Sequence, residues 1–367
     1  MKHNYLLFLL FSTSLFFWKA KELKSQDIHF SQYQQTPQLI NPALTGALSV
    51  FRATVIYKDQ WSSVSSPYKT MGASVENRFK ARQKKGQPLP VEGEVPFRRF
   101  AAGLSFYSDK AGDGSMGTTQ ANLSFATFVP TSKNSALSGG LQVSLIQNSV
   151  NFSKLRFTDQ YNSVTSTYDP GISNGENSTS QSFTYPDVGA GLNWGYGFKE
   201  NLKEEESKFK ANIGASVYHV NKPKLEYLAG SKETVAMKYI MHADFLIGLK
   251  DPNLALAPSV IYTLQGPSRE LLMGVMLKYY LVEGPRYYGV KASSAIGIGI
   301  SYRNKDAAIA SLLFEYGHYG IGVSYDLNTS NLNTASRGKG GPEVFLRYVA
   351  PNQFGISHKP RSRYNLK

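Results

Sequence analysis

The 367-residue chain contains no cysteine. That absence excludes disulfides, thiolate metal sites, a cysteine nucleophile and a lipid-carrying amino-terminal cysteine together. Long apolar runs are equally scarce. The run over residues 5–18 is shorter than the roughly 20 residues a spanning helix needs, and no later stretch approaches that length. Beyond its start, the chain is either soluble or crosses a membrane by means other than helices. The six histidines are scattered without a pair at ligand spacing, so neither a metal nor another cofactor is indicated. Acidic residues are also few: 26 Asp and Glu stand against 40 Lys and Arg, a formal charge of +14.

Lys2 and His3, an apolar run and then Lys19-Ala20 have the layout of a secretory leader. A membrane anchor is the competing reading. Taking residues 1–25 as a signal peptide, with the mature start near Gln26, removes Lys2, Lys19, Lys21, Lys24 and Glu22 and leaves +11. Much of that charge is local. Lys80, Arg82, Lys84 and Lys85 cluster with Arg98 and Arg99, and Lys359, Arg361, Arg363 and Lys367 lie in a tail with no acid. Such clusters suit solvated connections or a surface facing anionic lipid, and no nucleic-acid partner is expected.

What fills the rest of the chain is alternation. Side chains of period two point to opposite faces of a sheet. Phe100, Ala102, Leu104 and Phe106 share one face, while Ala101, Gly103, Ser105 and Tyr107 share the other. Likewise Tyr319, Ile321, Val323 and Tyr325 oppose Gly320, Gly322, Ser324 and Asp326. A soluble sandwich alternates too, but these segments match the 9–11 residues of a tilted membrane strand. Aromatic residues, 23 Tyr and 21 Phe, crowd segment ends where a girdle sits. The second face is rich in Gly, Ser, Asn and Gln, which fits a wet or plugged lumen better than a dry core.

Segments fall at 51–62, 68–79, 98–110, 118–130, 135–150, 183–197, 209–220, 237–250, 254–265, 269–281, 295–303, 307–316, 319–328 and 341–349. The expected fold is an all-β transmembrane antiparallel β-barrel of about 14 strands over residues 51–349. A short periplasmic N-terminal segment, 26–50, precedes it and a basic periplasmic tail, 350–367, follows it. With both barrel ends in the periplasm, the long connections 151–182, 221–236 and 329–340 lie outside. The exception is the basic stretch 80–97, an inward connection long enough for a periplasmic partner to dock.

Motifs with chemistry are weak. GISNG from Gly171 satisfies G-x-S-x-G, but it sits in a loop of Ser, Asn, Thr and Gly without the strand-to-helix turn of a nucleophile elbow. DKAGDG from Asp109 lacks the alternating acids and closing Glu of a calcium loop. GAGLNWG from Gly189 has no helix after it to present to a phosphate; glycines in a barrel wall more often permit bending or close approach of other chain. His219 and His242 are placed at strand positions near an interface. No Ser, His and carboxylate trio can be assembled on one face, so no catalytic residues are assigned and an enzyme is not expected.

The stretch HFSQYQQTPQLINPALTG, residues 29–46, is polar and Pro-punctuated. Pro37 and Pro42 forbid regular pairing and favour turns. Asp27, then Phe30, Ser31, Gln32 and Tyr33, then Leu39, Asn41, Pro42, Ala43 and Gly46 resemble the amino-terminal signature of the PorP/SprF family of type IX secretion outer-membrane proteins of Bacteroidetes. Lys58, Asp59, Gln60 and Trp61 stand where that family usually has an Arg-Gln-Gln-Trp-like motif, so the Arg and first Gln depart. GLSFYSDKAG, SKLRFTDQY, ASVYHVNKP, SYDLNTSNL (with Tyr325 and Asp326) and GGPEVFLRY are similar in the same order. The resemblance implies a non-enzymatic component supporting secretion or surface anchoring of a cargo such as a gliding or cell-surface adhesin. It implies contact with periplasmic ring or anchor proteins and with cargo bearing a C-terminal secretion domain, in the outer membrane of a Gram-negative bacterium. A general diffusion porin is the alternative. Residues 27–46 are then expected either to plug the lumen or to meet the periplasmic machinery.

Overall fold

In the computed structural model, the described residues are 27–61, 68–79, 99–112, 114–132, 134–151, 155–173, 181–197, 209–225, 233–251, 253–282, 294–330 and 336–350. The leader, the basic connection 80–97 and the tail beyond residue 350 lie outside them.

Among the described residues sixteen strands form in chain order: β1 (Phe51–Gln60), β2 (Tyr68–Phe79), β3 (Phe100–Ala111), β4 (Met116–Pro130), β5 (Ser135–Val150), β6 (Tyr161–Asn162), β7 (Thr167–Tyr168), β8 (Gln181–Tyr196), β9 (Phe209–Tyr218), β10 (Lys238–Gly248), β11 (Leu254–Gln265), β12 (Ser268–Val282), β13 (Ser294–Arg303), β14 (Ala307–Tyr316), β15 (Tyr319–Asn328) and β16 (Lys339–Ala350). All but β6 and β7 join one closed antiparallel barrel of fourteen strands, each paired with its chain neighbour. The seam closes between β1 and β16, from Phe51 opposite Ala350 to Lys58 opposite Glu343. Closure leaves the barrel no edge strand, so ladder N–H and C=O groups along the paired lengths find partners without water. The pair β6–β7 is a small separate hairpin inside the long connection expected as loop. Among the described residues no helix is long and apolar enough to cross a membrane.

The two faces separate as the alternation requires. Leu104, Leu141, Ile298 and Leu312 are more than half exposed on the outside, whereas Ser124, Asn122, Ser324 and Asp326 are buried inside. An outer wall of exposed Leu, Ile, Val and Phe is stable only against lipid. Two-residue turns at 266–267 and 317–318 carry Gly266 and Gly317 at positive φ, which a tight hairpin turn demands of its first residue.

The barrel has two ends. At the terminal mouth the chain enters β1 and leaves β16; at the distal mouth lie the connections 61–67, 151–180, 219–237 and 329–338. The sequence places residues 26–50 as a periplasmic segment before the barrel and leaves residues 27–46 either to plug the lumen or to meet periplasmic machinery. Of these two, residues 27–46 take the lumen, for a physical reason visible in their partners. Their side chains and backbone bond to β1, β2, β5, β8, β9, β10, β11, β15 and β16, and only the lumen of a closed barrel reaches all of these at once.

Candidate functional site: the lumenal segment and its seat

Three short turns shape the segment. Tyr33–Gln35 and Pro42–Leu44 are 3-10 turns and Pro37–Ile40 is one α turn. Each proline occupies a first-turn position, where its missing N–H leaves nothing unsatisfied. Asn41 between them is extended, and its side-chain oxygen accepts the Ala43 N–H at 2.9 Å.

At the distal mouth a clasp holds Asp27. His219 Nε2 lies 2.8 Å from Asp27 Oδ2, Lys238 Nζ 3.4 Å, and Gln265 donates to Oδ1 at 3.1 Å. His219 sits just past the end of β9 at a φ of 57°, and its Nδ1 lies 3.0 Å from Asp187 Oδ1. It is thus clasped between two carboxylates at the barrel mouth, one residue past the end of the strand that was expected to include it. Burial pushes the Asp27 carboxyl up, but Lys238 and His219 outweigh it and hold the group well below the usual carboxylate range. Burial lowers the His219 imidazole, while Asp187 and Asp27 outweigh that and raise it to about 9. His29 is driven the other way, to about 4, by burial and by the charges of Lys58 and Arg303, against the pull of Glu270.

The sign of each shift sets a pH dependence. His219 binds its proton more tightly folded than unfolded, so its contribution is full below about pH 6.5 and is lost as pH rises through about 9. His29 is held neutral, so it costs stability as pH falls from about 6.5 towards 4. Urea unfolding across pH is expected to show the protein losing its advantage over His219→Gln as pH rises from about 6.5 to about 9, and losing ground relative to His29→Gln as pH falls below about 6.5. Each group changes the folding equilibrium by up to about tenfold per pH unit. Parallel curves for protein and variants would contradict the clasp.

Below the clasp is a buried charge cluster. Asp326 accepts from Ser31 Oγ at 2.8 Å and from Arg303, and lies 3.7 Å from Lys58 Nζ. The Glu343 carboxylate accepts the consecutive N–H groups of Ser31 at 2.8 Å and Gln32 at 2.7 Å, and lies 4.0 Å from Lys58. All four charged residues are at most 1% exposed. Their two positive and two negative charges compensate one another, as burial requires. At the waist, Tyr33 donates to Asp244 at 2.9 Å and Gln34 to Ser259 at 2.9 Å, while Arg52 and Arg347 both donate to Gln35 Oε1. Around these polar contacts pack two apolar clusters. Phe30, Ile28 and Leu39 meet Ile56, Tyr107 and Phe345; Tyr33 and Ile40 meet Tyr218, Ile240 and Ile261.

Near the terminal mouth the segment presses on the wall. Asn41 Nδ2 donates to the Leu192 carbonyl at 2.9 Å and stands 3.1 Å from His242 Nε2; Ser138 donates to the Ala43 carbonyl at 2.8 Å. Gly140 and Gly191 permit this contact, since a Cβ on either would fall within 2.3 Å of Pro42–Ala43 backbone or 2.0 Å of Asn41 Oδ1. In the Gly-rich GAGLNWG stretch this close approach accounts for Gly191, while Gly189 makes room for the Tyr218 ring. Gly46 then donates to Glu76 at 3.1 Å where the chain leaves the lumen.

Of the residues singled out from sequence, Phe30, Ser31, Gln32, Tyr33, Asn41, Pro42 and Gly46 lie along the segment, and Asp326 meets Ser31 directly. Trp61 is apart, just past β1 at the distal mouth, edge-on to Tyr68 at 5.1 Å. Tyr325 points outward, 39% exposed to the lipid side, and shares no site with Asp326. Sequence reading missed Arg303, Glu343, Arg52 and Arg347 as partners. Charged residues at inward-facing positions of the alternating strands were the available signal. Among the described residues no group of three or more His, Asp or Glu side chains is placed to hold a metal ion.

A fourteen-strand barrel with a lipid-facing wall and a lumen occupied by its own N-terminal segment is a plugged membrane barrel. The family model for the type IX secretion system membrane protein PorP/SprF matches residues 22–348, and the chain belongs to that family. A comparison with curated proteins gives no match. Among solved structures, the chain is similar to the Ralstonia pickettii toluene transporter TbuX, at 9% identity and a TM-score of 0.42, with 86% of this chain and 92% of that one covered. It is also similar to a Pseudomonas aeruginosa FadL homologue, at 12% identity and a TM-score of 0.45, with 85% and 92% covered. Both are likenesses of barrel fold alone.

Proposed function

We propose that this protein is a non-enzymatic outer-membrane component of the type IX secretion system that supports secretion or surface anchoring of a cargo protein, such as a gliding or cell-surface adhesin. In this reading it belongs to a member of the Bacteroidetes, is exported by a cleaved leader, and has both barrel ends in the periplasm. Its partners are the periplasmic ring or anchor proteins and cargo with a C-terminal secretion domain. The carrying observation is the filled lumen. A segment bonded to both charge signs of the wall, and packed into two apolar clusters, makes this barrel a docking body and argues against the diffusion porin.

Deleting the gene tests the reading. Cargo bearing the secretion domain is expected to accumulate in the periplasm, and plasmid-borne protein to restore its surface display. Normal display of all such cargo in the deletion strain would end the proposal.

A further inference from the structure

The direction of the lumenal segment carries a consequence for chain topology. Asp27 is held by Lys238, the first residue of β10, by Gln265, the last of β11, and by His219, one residue beyond β9. All three mark the distal mouth. His29 reaches Arg303, the last residue of β13, at 3.0 Å. Four residues further on, Tyr33 bonds Asp244, more than halfway down β10 from that mouth. Ala43 bonds Ser138, the fourth residue of β5, and Gly46 bonds Glu76 towards the end of β2, both near the terminal mouth. The segment therefore descends the whole lumen before the chain turns back into β1.

We infer that the mature amino terminus is presented at the distal mouth, so that the start of the chain and the ends of the barrel lie on opposite sides of the membrane. With the orientation taken under the proposed function, that side is the cell surface, beside the longest connections. The membrane-sidedness and the freed terminus rest on the orientation and leader cleavage of the proposed function; the threading of residues 27–46 does not.

Because the chain has no cysteine, single cysteines report sidedness without background. Three proteins suffice: an insertion of Gly-Cys-Gly directly ahead of Asp27, with retention checked by intact mass; Asn304→Cys in the distal 304–306 turn; and Ser132→Cys in the terminal 131–134 turn. Asn304 and Ser132 are both exposed. A membrane-impermeant maleimide is applied to intact cells and then to permeabilised cells, with heat-modifiable migration confirming the barrel. The inserted cysteine is expected to label together with Asn304→Cys, in intact cells, while Ser132→Cys labels only after permeabilisation. Labelling of the insertion together with Ser132→Cys overturns the threading. If the insertion and Asn304→Cys both need permeabilisation while Ser132→Cys does not, the threading holds and the proposed orientation fails. Should the insertion block assembly, an impermeant amine reagent on intact cells, read as modification of the amino-terminal peptide of the unaltered protein, gives the same decision.

Discussion

Asp326→Ala is expected to cost about 3–5 kcal/mol of barrel stability, the usual penalty for leaving a buried charge without its partner. The carboxylate is 1% exposed and serves three neighbours: Arg303, the Ser31 hydroxyl and Lys58. Without it, Lys58 keeps Glu343 at 4.0 Å and Ser31 at 3.3 Å, and Arg303 keeps Asp306 at 3.2 Å, the Ser31 hydroxyl at 3.0 Å and His29. Two cations then share a dry region with one buried carboxylate. Urea unfolding in detergent or vesicles measures the loss. A change under about 1 kcal/mol, the scale of a solvent-exposed pair, would show that water reaches the cluster. The apolar replacement Lys58→Met with Asp326→Leu separates charge from packing. It is expected to recover much of the loss, since a matched hydrophobic pair does not bear the desolvation of two ions.

The same cluster shows what could be read from sequence and what could not. Period-two alternation is a local property, so both ends of β2, β5, β11, β14 and β15 coincide with the segments expected. The lipid enforces that pattern, because each outward position must be apolar. The lumenal contacts obey no local rule. Ser31 meets Asp326 and Glu343 across 295 and 312 residues, and nothing near Ser31 points to either. The resemblance nevertheless rested on three stretches that prove to touch: the F-S-Q-Y segment, the one containing Tyr325 and Asp326, and the one containing Glu343. Lys58, read as a departure from the family motif, keeps a cation in the middle of them. Tyr325 shows the opposite limit. It sits beside Asp326 in sequence, but alternation sends it to the lipid face.

Two adjacent glycines are expected to respond oppositely to the same methyl group. Gly140 faces inward, where a Cβ would stand 2.3 Å from the Ala43 nitrogen and the Pro42 carbonyl carbon. Both are backbone atoms of a turn fixed by Asn41 and Ser138, so no side chain can swing aside. Gly139 faces outward, and its Cβ would meet only Leu192 at 3.6 Å, an ordinary contact. Gly140→Ala should therefore cost about 1–3 kcal/mol, the range for overpacking a filled interior, whereas Gly139→Ala should be neutral or slightly stabilising, since alanine orders an unfolded strand less expensively than glycine. The cost should also be local. The shift pushes the Asn41 turn off Leu192 and Ala215, so hydrogen exchange at Ala43 and Leu44 should quicken while the amides of β13 to β15 hold. Equal stability of the two variants would mean that the segment rests loosely in the lumen, and the docking-body reading would lose its structural basis.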